Sequence, residues 1–215
     1  MGNRLTRWRP DQRDADQRLG EIAQSLLLAL QSTVREDASA FGLYDAACTA
    51  GGRLADVMAS PPRMASDTEV LAGLVTRIGG EGGTLSDAVV RRAVAAAWVQ
   101  VQEQHPELSG STIGRSMTAD ILCDLYRLFF ADVVAEFLRS VVAEKINLAM
   151  LGSTVLIDPE SVIANWITEC LLEFVPDPCE VAVGRGGSDA LPGIARSLVP
   201  RAVDAVLGLS TPEAA

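Results

Sequence analysis

His105, the only histidine in the chain, stands seven residues ahead of Thr112 in the stretch "HPELSGSTIG". A hydroxyl between glycines, G-S-T-I-G at 110–114, has the outline of the G-x-S-x-G nucleophile elbow with Thr112 in the serine's place and His105 as a nearby base. That elbow works only where a strand delivers the nucleophile and a helix leads away from it. Here a helical pattern and Pro106 come first, so the stretch reads as a loop between helices. His105 is then expected at a helix end, facing solvent near the terminal carbonyls.

A second arrangement, "VAVGRGGSDA" at 181–190, places Arg185, Gly186, Gly187 and Ser188 ahead of a helix start. Exposed amides beside a guanidinium suit a phosphate or carboxylate. A dinucleotide fingerprint counted from Gly184 fails because its last position is Asp189, and the composition is that of a flexible linker.

Four carboxylates, Asp120, Asp124, Asp132 and Glu136, share one long segment. Paired acids on facing helices hold metals in di-metal bundles, but those sites add Glu-x-x-His, and the one histidine lies elsewhere. The expectation is no metal, with the acids pairing with Arg127 and Arg139 or solvated. Cys48, Cys123, Cys170 and Cys179 form no C-x-x-C pair and read as reduced, mostly buried thiols. Only Lys145 among the eighteen basic residues is a lysine, and no glycine-rich loop precedes it, which excludes the P-loop. No cofactor is expected, and catalysis is the least supported class of function.

Two features belong to binding. Arg4, Arg7, Trp8 and Arg9 lie in an arginine-rich arm at 1–18, where an aromatic among guanidinium groups suits phosphate contact and base stacking, although acids at 11, 14 and 16 weaken it. Trp98, Tyr126, Phe129 and Phe130 would line an apolar small-molecule pocket in the bundle, or simply its core.

The elements that position these residues are helical. Leu19, Ile22, Leu26, Leu27 and Leu30 recur at spacings of three and four, and a second helix is predicted across 39–59, ended by "SPPR". Ser66 and Glu69 form a capping-box pattern before the next helix, "GGEGG" at 79–83 is a turn, and another helix runs from Thr84 or Ser86 to Pro106. From 117 to 149 there is neither proline nor glycine, and Leu122, Leu125, Tyr126, Phe129, Val133 and Phe137 mark one face. Charges at 124, 127, 132, 136 and 139 interrupt it, so it is no membrane span and belongs at the centre of a bundle. "GSTVLI" at 152–157 reads as a brief extended segment; Asp158 and Pro159 start a helix, and another closes the chain.

The sum is an all-α bundle of about seven helices around a long central helix, with little or no strand. Its organisation is an arm at 1–18, a main helical domain at 19–175, a glycine-rich linker at 176–188 and a C-terminal helix at 189–209. A net charge of -10 and a sequence pI near 4.6 oppose broad contact with nucleic acid or anionic lipid, leaving nucleic acid only the N-terminal arm. A mean hydropathy of +0.22 leaves apolar surface for an interface. With no apolar run near the N-terminus to mark a secretory signal, the chain is expected in the cytoplasm; its arginine preference is that of a GC-rich genome. The function expected is that of a non-catalytic helical subunit of a bacterial multi-protein system, self-associating or docking to protein partners.

Overall fold

The structure is a computed structural model and describes residues 15–62, 66–80, 82–108, 117–149, 158–183 and 190–210. Among the described residues are eight α-helices and no strand: α1 (Ala15–Glu36), α2 (Leu43–Ala59), α3 (Asp67–Gly79), α4 (Leu85–Gln104), α5 (Ala119–Ala149), α6 (Pro159–Leu172), α7 (Pro178–Val183) and α8 (Leu191–Val206). The all-α expectation holds. The stretches "GSTIG" and "GSTVLI" lie outside the described residues.

The helix starts follow local chemistry. Thr84 Oγ1 accepts the Asp87 amide at 3.0 Å while Asp87 Oδ2 accepts the Thr84 amide at 3.0 Å, a complete capping box. At Ser66 the box is partial: the side chain accepts the Glu69 amide at 3.3 Å, and Glu69 reaches the Ser66 hydroxyl instead of its backbone. Asp158 accepts the amides of Glu160 and Ser161, with Pro159 at the first helical position.

Helix α1 begins at Ala15. Two boundaries differ from the sequence reading. The single helix read across 39–59 is broken, because Phe41 and Gly42 both adopt φ of 62°, so a short 3-10 turn precedes α2. Left-handed backbone is costly for a phenylalanine; here the Ser86 hydroxyl donates to the Phe41 carbonyl at 3.1 Å and the ring packs on Phe137 with centroids 5.1 Å apart. The linker read at 176–188 contains a helix, α7, with Asp177 accepting the Cys179 amide at 2.7 Å.

Helix α5 is the axis. Helices α4 and α6 pack along it and scarcely on each other, while α2, α7 and α8 cover other parts of its surface. Leu125, Tyr126, Phe129, Phe130, Ala131 and Val134 have no exposed surface, which is the all-round burial expected of a central rod. One close approach depends on a glycine: a Cβ on Gly51 of α2 would lie 2.5 Å from Phe130 Cζ and 2.9 Å from Val199 Cγ1. The missing side chain lets α2 and α8 close over the aromatic cluster.

The cysteines correct the reading of four reduced thiols. Cys123 of α5 and Cys179 of α7 form a disulfide, with Cα atoms 6.0 Å apart at a sequence separation of 56; Cys48 and Cys170 are free and half-buried. The bond fastens α7 to the central helix.

Two outcomes are expected. Gly51→Ala should destabilise the fold by about 1–3 kcal/mol through overpacking, whereas Gly73→Ala, whose Cβ meets nothing within 4 Å, should stabilise it by about 0.5–1 kcal/mol; urea midpoints distinguish the two. Alkylation of the unfolded, unreduced chain should label two cysteines, and Cys123→Ser should lower stability by about 2–4 kcal/mol.

Candidate functional site

The polar side chains that the fold concentrates in one place lie on α4, α5 and α6. Both flanking helices run antiparallel to α5: Arg92 of α4 meets Glu136, Gln100 meets Asp132, and His105 meets Asp124. On the other flank Arg139 meets Ser161, Asp132 meets Thr168, and Arg127 meets the Leu172 carbonyl of α6. Helices α4 and α6 are therefore parallel to each other, bridged across α5 by its polar residues.

Asp132, 2% exposed, accepts 2.6 Å from the Thr168 hydroxyl, and both its oxygens accept from Gln100 Nε2, at 2.9 and 3.1 Å. Burial pushes its carboxyl up to about 7; the bonds from Thr168 and Gln100 oppose the rise, and neighbouring Glu136 adds to it. Glu136, one turn further on and 4% exposed, is held from both sides: Oε2 by Arg92 at 3.1 Å and Oε1 by Arg139 at 3.2 Å. Arg92 also donates to Ser140 Oγ at 2.5 Å, and Arg139 to Ser161 Oγ at 3.3 Å with Asp158 3.8 Å away. The sequence expectation of solvated or salt-bridged acids holds for Glu136 and Arg139. It does not hold for Asp132, which has neutral partners, or for Arg127, which faces Asp177 at 3.8 Å.

Over this network α4 and α6 leave a groove of about 560 Å³. Ala95, Ala96 and Val99 line it on the α4 side, with Val99 half-exposed. Arg92 and Arg139 stand toward one end, Gln100, Glu103 and Glu169 toward the other, and Asn165 lies between. None of the residues lining this groove carries a hydroxyl, thiol, amine or imidazole; its polar groups are carboxylates, guanidinium groups and amides.

His105 is not a solvent-facing side chain as expected from its helix end. Its ring, 19% exposed, sits between Asp124 at 2.7 Å and Glu107 at 2.9 Å. The bond to Asp124 raises the imidazole above its usual 6.5, with burial opposing and Glu107 assisting. His105 thus ties the C-terminus of α4 to α5, while Thr112 lies outside the described residues.

Of the other sequence-derived candidates, Trp98, Tyr126, Phe129 and Phe130 are at most 1% exposed. Tyr126 donates to the Ala195 carbonyl at 3.2 Å, the rings of Phe129 and Phe130 meet at 5.2 Å, and Trp98 Nε1 has no hydrogen-bond partner among the described residues. None of the four lines the groove. Arg4, Arg7, Trp8 and Arg9, and Arg185, Gly186, Gly187 and Ser188, lie outside the described residues. Cys123, Asp177 and Cys179 have ligand atoms within 4.8 Å of one another, but the sulfurs are bonded together and Asp177 faces Arg127. The sequence reading missed Arg92, Gln100 and Thr168, which have no local signature.

No protein-family model, curated protein or solved structure matches this chain. Among the described residues no helix is long and apolar enough to cross a membrane.

The two titrating groups act over different pH windows. A carboxyl raised from 3.8 to about 7 holds its proton in the folded state where the unfolded chain has lost it, so its contribution falls as pH rises from 4 to 7. Asp132→Asn should flatten the pH dependence of the urea midpoint across that interval. The raised imidazole contributes fully below 6.5 and loses its contribution as pH climbs through its folded value, so His105→Gln should flatten the profile from about pH 6.5 upward.

Proposed function

We propose that this chain is a non-catalytic helical subunit that docks a partner protein, and that the groove over α5 is its docking face. The observation that carries this reading is a groove of about 560 Å³ whose two arginines are held in place from beneath by Glu136, on helices rather than loops, with no hydroxyl, thiol, amine or imidazole among the residues that line it. Rigid helices with preset side chains reduce the ordering cost of association. The cytoplasmic expectation belongs to the same proposal; in that compartment the Cys123–Cys179 bond would exchange with the thiol pool.

Self-association is a second form of docking, favoured by a different patch. Phe41 and Leu85 are exposed by 56% and 62%, Ser86 joins the two segments, and Val141 follows Phe137 by one turn. Leucine and phenylalanine side chains gathered in this way suit contact with another apolar surface.

The docking reading is tested in the native host with a photo-cross-linking residue at Val99. A discrete protein adduct is expected at that position and not at Leu28 on α1, and a bulky side chain at Ala96 should abolish it while leaving helicity and the urea midpoint unchanged. Cross-linking at Val99 that ignores Ala96→Trp, or none at all, would remove the groove as the docking face.

A further inference from the structure

The charge order along the groove, which rests on the docking reading above, says what kind of element it takes. Because α4 and α6 are parallel and both antiparallel to α5, positions on the three helices can be placed at common levels. Arg92, Ser140, Arg139 and Ser161 occupy one level, and Gln100, Asp132 and Thr168 occupy another about two turns away. Glu169 follows Thr168 directly, and Glu103 lies about one further turn along α4. From Arg92 to Glu103 the groove spans eleven residues of helix, or roughly 16 Å at about 1.5 Å per residue.

The two ends offer opposite chemistry. At the first, Arg92 and Arg139 each give one hydrogen bond to the Glu136 carboxylate beneath them and one to a serine, with Asp158 3.8 Å from Arg139, and their remaining N–H groups, on side chains more exposed than Glu136, are open to an incoming acceptor. At the second, Gln100 Nε2 is committed to Asp132, leaving the amide oxygen with the exposed carboxylates of Glu103 and Glu169 as acceptors. Between them Ala95 and Ala96 are small enough for another backbone to come close, and Val99 offers an unpaired apolar contact.

We infer that the groove binds a three-turn amphipathic helix of a partner protein, acidic in its first turn, basic in its last and apolar along one seam, lying parallel to α4 and α6. Charge complementarity selects this occupant. An acidic first turn and a basic last turn are also what the dipole of the incoming helix favours, so its own stability and its fit to the groove point the same way. The overall charge of -10 assists the approach of the basic end.

The test is selection of helix-forming peptides about fourteen residues long from a display library with unbiased charges, using the full chain as bait and the Ala96→Trp chain for counter-selection. Enriched sequences are expected to carry Asp or Glu in the first turn and Lys or Arg in the last. A synthetic peptide of that order should bind about tenfold more tightly than its charge-reversed counterpart. Both Glu103 and Glu169 are exposed and form none of the bonds that hold the helices, so Glu103→Arg combined with Glu169→Arg should keep the fold and invert the preference at the last turn. No enrichment, enrichment without charge order, or a preference unchanged in the double variant would each overturn the inference. A Val99 adduct blocked by Ala96→Trp, found together with peptides lacking charge order, would sink this inference and leave the docking face standing.

Discussion

Two carboxylates on the most deeply buried helix constrain the rest of this structure. Asp132 and Glu136 belong to a segment whose neighbours are almost wholly removed from water, at a depth where an unpaired acid costs several kcal/mol. Each is satisfied differently. Glu136 is bonded by two arginines, one from α4 and one from α5 itself, whereas Asp132 has only neutral donors and a raised pKa. Because the donors to Asp132 come from both flanking helices, the register of α4 and α6 against the axis is tied to these acids. The groove is the space left above them.

Much of the architecture was legible because it is local. The proline-free run at 117–149, the spacing of Leu122 to Phe137, the caps at Ser66, Thr84 and Asp158, and the prolines at 61, 62 and 159 all act within a turn or two of themselves. Helix existence followed from them. The break at Phe41 was not legible, since a phenylalanine with positive φ contradicts its own propensity and is held by Ser86 and Phe137 from distant parts of the chain. Helix α7 is hidden by its length, as six residues give no periodicity to read.

The candidate site was legible only in part. Glu136 with Arg139 is a spacing of three on one helix and can be read by counting, but Arg92, Gln100 and Thr168 reach α5 from 44, 32 and 36 residues away. Nothing local distinguishes them from surface polar residues. The same applies to Cys123 and Cys179, whose pairing spans 56 residues, and to His105, whose helix-end position gave no hint of Asp124 nineteen residues on. Aromatic crowding at 125–138 pointed to the core, while the polar residues threaded through it organise the neighbouring helices.

The most direct measurement is a thermodynamic cycle joining Gln100→Leu and Thr168→Val. These residues sit on helices that scarcely touch and meet through Asp132 alone in the bonds described above. The expected result is a coupling energy of about 1 kcal/mol in the parent chain that disappears when Asp132 is replaced by leucine. Additivity within about 0.3 kcal/mol in the parent chain would contradict the claim that a buried acid on the axis ties α4 to α6.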